Sequence, residues 1–163
     1  MSRHLFPSAE VGDRFATHVG VRVAGPDHGS ASGCGATATL AERPWLAGPT
    51  DDPLGPAPTG ALLALVDATA RHAARAALGP AGAGAAIEPT ATRVQHHRPA
   101  RGDLSASADV PCEGALADRA DEHGVLRFSV AVAVVDAGGD RVATGTVQWR
   151  ARLDGTRPPA SVA

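Results

Sequence analysis

The residues with the most chemical content lie at one loop–helix junction. Asp67 stands alone in the apolar stretch "GALLALVDATA", seven residues after Gly60. A carboxylate in such surroundings is a candidate acid, base or nucleophile. From Gly60 to Leu78, Leu62, Leu63, Val66, Ala70, Ala73, Ala74 and Ala77 recur at three- and four-residue steps. Alanine has the highest helix propensity, so the spacing predicts a helix there. Thr59 suits the position before it, where a hydroxyl accepts an amide hydrogen bond from the first turn. Gly79-Pro80 suits its end. First-turn amides lack intrahelical acceptors and carry partial positive charge, so the start at Thr59 and Gly60 suits an anion or a polarised carbonyl oxygen. With no side chain, Gly60 lets a ligand approach the backbone closely. The competing reading of Asp67 is an exposed charge paired with Arg71 four residues on, stabilising by only about 0.2–0.5 kcal/mol.

Spacing adds a constraint. At a rise of ~1.5 Å per residue, Asp67 lies ~10 Å along the axis from Gly60. One carbonyl group is too small to rest on both within a single helix. Two helices side by side in a symmetric dimer would bring a helix start and an Asp67 together, so the spacing predicts a homodimer with shared sites.

The flanking chain reads as strands. Residues 18–26 and 29–40 alternate around the turn "GPDHG", and a proline-rich loop covers 43–59. After the helix, period-two patterns run over 86–100, 104–116, 126–136 and 141–153, with "AGGD" as the turn between the last two. Strands segregated around a single helix predict an α+β fold with an antiparallel sheet of about six strands. The domain is expected over 15–153, with 1–14 as an N-terminal segment and 154–163 as a flexible tail.

Composition removes several classes of function. A net charge of −2 gives no electrostatic footprint for nucleic acid, and 3% aromatic residues leave few platforms for stacking bases. No apolar run reaches the ~18 residues of a membrane span. The first residues lack the apolar core of a secretory signal, so a cytoplasmic location is expected. In that compartment Cys34 and Cys112 are expected to be reduced. His96 and His97 are neighbours on a strand and face opposite sides, so they do not form a shared metal site, and no metal is expected. Arg98 and Arg101 are candidates for phosphate groups, whose geometry a guanidinium matches.

The order strand–strand–loop–helix–four strands, with "GALLALVDATA" on the helix, resembles the hotdog-fold acyl-CoA thioesterases of the phenylacetyl-CoA/4-hydroxybenzoyl-CoA type. In that family the junction reads N-x-x-G-x-x-H-G-G, with an Asp nine residues after the His. Here "DPLGPAPTG" (52–60) places Asp52 at the Asn, Gly55 at the first Gly, Pro58 at the His, and Thr59 and Gly60 at the final pair. Asp67 stands at the catalytic Asp. "RVQHHRPARGDL" (93–104) is similar to the family's Y-x-R-P-A-R-G turn. The resemblance implies a sheet wrapped around the helix and copies assembled as a homodimer or homotetramer. A thioester carbonyl would meet the Thr59 and Gly60 amides of one protomer, and Asp67 of the other would act as general base or nucleophile. Asp52 would position water. Pro58, Leu63 and His97 would contact the substrate, and Arg98 and Arg101 the coenzyme. Coenzyme A, or an acyl-carrier thioester, would enter only as substrate, with no further cofactor. Proline lacks both an imidazole and an N–H, so Pro58 cannot orient water as the family's His does. A binder that keeps the groove without turnover is the alternative.

Overall fold

The computed structural model describes residues 16–17, 20–27, 34–41, 57, 59–79, 85–110, 119–121 and 123–153. Expectations for the two terminal segments, Asp52, Pro58, Cys112 and the side chain of Cys34 lie outside these residues. Among these residues, besides the helical pair 16–17, six strands and one long helix follow the expected order: β1 (Val21–Asp27), β2 (Cys34–Leu40), α1 (Thr59–Leu78), β3 (Ala86–His96), β4 (Leu104–Val110), β5 (Val125–Asp136) and β6 (Arg141–Arg152). All pairings are antiparallel, and the sheet order is β1-β2-β4-β5-β6-β3.

Period-two alternation decides which side of each strand meets the helix. In β4 buried and exposed residues alternate without a break, and Leu104, Ala106, Ala108 and Val110 form its inner face. In β6 the inner set is Ala143, Gly145, Val147, Trp149 and Ala151, all buried. The helix covers this face with thirteen buried residues, of which seven are alanine. Small side chains let its backbone approach the sheet closely. The approach is tightest at Gly145, where an added Cβ would stand 2.4 Å from Cγ1 of Val66. Thr69, buried on the helix, returns its hydroxyl hydrogen to the carbonyl of Leu65 at 2.7 Å, so no polar group is left unmet there.

Several boundaries differ from the sequence pattern. β1 begins at Val21 rather than at 18, because Gly20 takes a left-handed φ of 88° and its amide bonds the carbonyl of Thr17. β3 stops at His96 rather than at 100. The amides of His97 and Arg98 both turn to the carbonyl of Val142, and Pro99 has no amide to continue a ladder. β4 ends at Val110, and the remainder of the expected 104–116 strand falls outside the described residues. The "AGGD" turn forms as expected, with Oδ1 of Asp136 accepting from the amides of Gly138 and Asp140 at 3.0 Å.

Asp121 ties the turn into β5, with Oδ1 accepting from the amides of Val125 and His123 at 2.9 Å. The Val125 bond above all, helped by that of His123, holds its carboxyl below the ordinary 3.8. The folded state therefore favours the charged form. The contribution of this exposed turn is complete above the ordinary carboxylate range and fades as pH falls through the lowered value.

Gly145→Ala forces a methyl group into Val66 and is expected to destabilise the fold by about 1–3 kcal/mol, the usual cost of overpacking. A lower midpoint in urea with an unchanged slope is the expected result.

Candidate functional site

The first half of α1 leaves one open stripe, and further along only His72, Arg75 and Ala76 are not buried. Thr59, Gly60 and Leu63 are exposed and Asp67 is half-buried, whereas Ala64, Leu65, Val66, Ala68, Thr69 and Ala70 are all buried. Steps of three and four residues put Gly60, Leu63 and Asp67 on one line down the helix. Leu63, 44% exposed, is the one large apolar side chain left in the open among the described residues. Gly60 is not a packing glycine within this chain: an added Cβ there would meet nothing within 4 Å. Its contrast with Gly145 is direct. One glycine makes room for this chain's own helix, and the other leaves open space.

Thr59 is the first residue of the helix, not the residue before it, and its hydroxyl makes no hydrogen bond among the described residues. The cap expected of it is therefore absent. A residue with helical backbone angles no longer folds its hydroxyl over the next amides.

Asp67 and Arg71 do pair, with Nη2 donating to Oδ2 at 2.8 Å, but the pair is not the surface bridge considered from spacing. The side chain of Arg71 is 5% exposed and that of Asp67 24%. The Arg71 guanidinium lies over the Trp149 ring, 5.5 Å from its centroid, in cation–π range. Trp149 is buried, and its indole N–H has no hydrogen-bond partner among the described residues. The i,i+4 spacing flagged this pair, but the depth of Arg71 depends on Trp149, 78 positions away in the chain.

A hollow of about 400 Å³ opens beside the helix start, bounded by Thr59, Leu62 and the segment His96–Ala100. The amide of Ala57 bonds the carbonyl of Ala100 at 2.7 Å, which holds the approach to the helix against the β3–β4 turn. His96 pairs with Ala143 of the inner face, two positions along from Val94 opposite Gly145, and so lies on the helix side of the sheet. His97 lies on the outer side, where its Nε2 stands 3.1 Å from the hydroxyl of Thr144. Period two told the histidines apart but not which one faced the helix. Arg98 is engaged by Asp140 at 2.7 Å, both being well exposed. Arg101 is exposed in the turn that follows and does not line the hollow. The structure thus gathers Thr59, His96, His97 and Arg98 at the helix start and places Leu63 and Asp67 further down the stripe. No cluster of three or more metal-binding side chains occurs among the described residues. Nor is any described helix long and apolar enough to cross a membrane.

No protein-family model and no curated protein matches this chain. Solved structures do. Rv1847/MT1895 of Mycobacterium tuberculosis is 23% identical with a TM-score of 0.62, over 89% of this chain and 99% of its own. PA5026 of Pseudomonas aeruginosa, described as a probable thioesterase, is 18% identical with a TM-score of 0.62, over 92% and 99%. The PaaI protein of E. coli, from the phenylacetic acid degradation operon, is 17% identical with a TM-score of 0.55, over 86% and 90%. The chain has the hotdog fold of these neighbours, a six-stranded antiparallel sheet packed on one helix.

Because a Cβ at position 60 meets nothing, Gly60→Ala is expected to leave the urea midpoint unchanged or raise it. Alanine is favoured over glycine in helices by about 0.8–1 kcal/mol. The same glycine-to-alanine exchange thus acts in opposite directions at positions 60 and 145.

Proposed function

We propose that the protein hydrolyses a small or medium acyl thioester of coenzyme A, at sites shared between two copies of the chain in the cytoplasm. The observation that carries this reading is the open stripe of Gly60, Leu63 and Asp67 over residues 60–70, where every other helix residue is buried. The hotdog fold, common to the probable thioesterase PA5026, supports it.

Each part of the stripe has a task in this reaction. The amides of Thr59 and Gly60 lie in the first turn, where no intrahelical acceptor exists, and they receive the thioester oxygen. Asp67 of the second copy takes a proton from water as the water oxygen adds to the carbonyl carbon. The charge that develops on the carbonyl oxygen is met by the two amides, and such donors commonly contribute about 3–4 kcal/mol each. Collapse breaks the carbon–sulfur bond, and the thiolate leaves with the proton that Asp67 returns. In the other route open to Asp67, its carboxylate attacks the carbonyl carbon and expels the coenzyme A thiolate, and water then cleaves the mixed anhydride to release the acid and regenerate the carboxylate. Leu63 lies between the two polar ends and contacts the acyl chain. Arg98 at the far side of the hollow, by exchanging its Asp140 partner, and Arg101 in the turn beyond it receive the coenzyme phosphates.

The second copy joins through β3. Nine of its eleven residues are exposed, and β6 is its one neighbour in the sheet among the described residues, so it offers a free edge. Antiparallel pairing of β3 with its own copy continues the sheet and sets two helices side by side, the arrangement that the ~10 Å offset between Gly60 and Asp67 calls for. Further association into a tetramer belongs to the same reading.

Release of free thiol from short, medium and aryl acyl-CoA thioesters tests the proposal. Asp67→Asn is expected to lower kcat by about 10²–10⁴-fold, the usual range for a general base. Gly60→Val is expected to abolish both turnover and acyl-CoA binding. Binding without hydrolysis in the parent protein would establish instead a thioester-binding protein that has lost turnover.

A further inference from the structure

We propose that Arg71 is the positioning residue for Asp67, holding one carboxylate oxygen so that the other faces the substrate; the inference rests on the hydrolytic reading above. An ordinary i,i+4 pair on a helix surface is two mobile side chains meeting in water, and it fixes neither of them. This pair differs in three respects. The guanidinium is within the core, with its side chain 5% exposed, so its own position is set by packing. Its Cζ lies over the Trp149 ring at 5.5 Å from the centroid, so the ring bounds it on one side. Its Nη2 reaches Oδ2 of Asp67 at 2.8 Å, a charge-assisted distance, and Oδ1 makes no hydrogen bond among the described residues.

The consequence for Asp67 is a fixed orientation at the point where its side chain emerges from the helix. A charge as deep as Arg71 requires an opposite charge within reach, because an unpaired buried ion is strongly unfavourable. Asp67 meets that requirement, and its carboxylate is bound at one end. Trp149 on β6 holds Arg71, Arg71 holds Asp67, and Oδ1 is left for the water or the thioester. Such preorganisation matters because a displacement of about 1 Å at a reacting group can lower a rate ~100-fold.

The test combines Arg71→Met, which keeps the length and removes the charge, with Arg71→Lys, Asp67→Asn and the double variant Asp67→Asn/Arg71→Met. Each is assayed for thiol release per folded molecule, with kcat and KM separated and melting temperature recorded. Arg71→Met is expected to lower kcat about 10- to 100-fold with KM within about twofold. Arg71→Lys, which restores the charge without the planar fork, should fall between it and the parent. The double variant should be no slower than Asp67→Asn alone, since Arg71 acts only through Asp67. Unchanged kcat per folded molecule in Arg71→Met, or a double variant slowed by the product of both single losses, would overturn the proposal. If Arg71→Met does not fold, Arg71→Lys decides: a lowered kcat at unchanged KM supports the proposal, and parental kcat overturns it. An inactive Asp67→Asn beside a fully active Arg71→Met would remove this inference alone. A fully active Asp67→Asn would remove the catalytic reading of Asp67 and the role of Arg71 with it.

Discussion

The distance between α1 and the sheet is the constraint from which the other features follow. Seven of the thirteen buried helix residues are alanine, and at the closest point Val66 occupies the space that a side chain at position 145 would need. A helix drawn in so far has little freedom to roll about its axis, because rotation would drive Val66 or Leu65 into backbone. The direction in which Gly60, Leu63 and Asp67 face is therefore decided on the opposite side of the helix, by residues that touch no ligand. Burial of Leu62, Leu65 and Val66, at about 1.5–3 kcal/mol each, stabilises the fold and the aim of the stripe together.

Core and site also meet at Arg71. It is one of two buried polar or charged residues among those described, and its charge is shared between an aromatic face and a half-open carboxylate. Thr69, the other, satisfies its hydroxyl within its own helix and leads nowhere. Arg71 connects the sheet interior at Trp149 to the surface at Asp67, so a change deep in the core is felt at the carboxylate.

Much of the fold could be read from period alone. The three- and four-residue steps of α1 and the clean alternation of β4 are local signals, and the element order and the α+β class followed from them. Ends were less legible where they depend on partners: the last residues of β3 leave the ladder because Val142, on another strand, accepts both of their amides. At the site, the position of Asp67 on a helix and the i,i+4 spacing of Arg71 were visible in the sequence. The burial of Arg71 was not, since it requires knowing that Trp149 lies beneath it. Likewise "HH" at 96–97 declares that two imidazoles point apart, but only the register with Ala143 and the bond to Thr144 assign the sides. Two glycines of opposite purpose, Gly60 and Gly145, look alike in the sequence and differ only in what stands opposite the missing methyl group.

The sheet has two edges of unequal character, and this bears on how assembly ends. β3 is eleven residues long, but its first part carries Pro89 and a register shift before Ala91, so a continuous run of backbone donors begins only beyond them. β1, at the opposite edge, is seven residues long, contains Pro26, and is itself out of register between Ala24 and Asp27. Two copies joined through β3 would consume the longer edge on both sides and present only the short, broken one outward. Such a pairing closes the long side: the edge left for a third chain is the short, out-of-register one, a poor template for growth along the sheet.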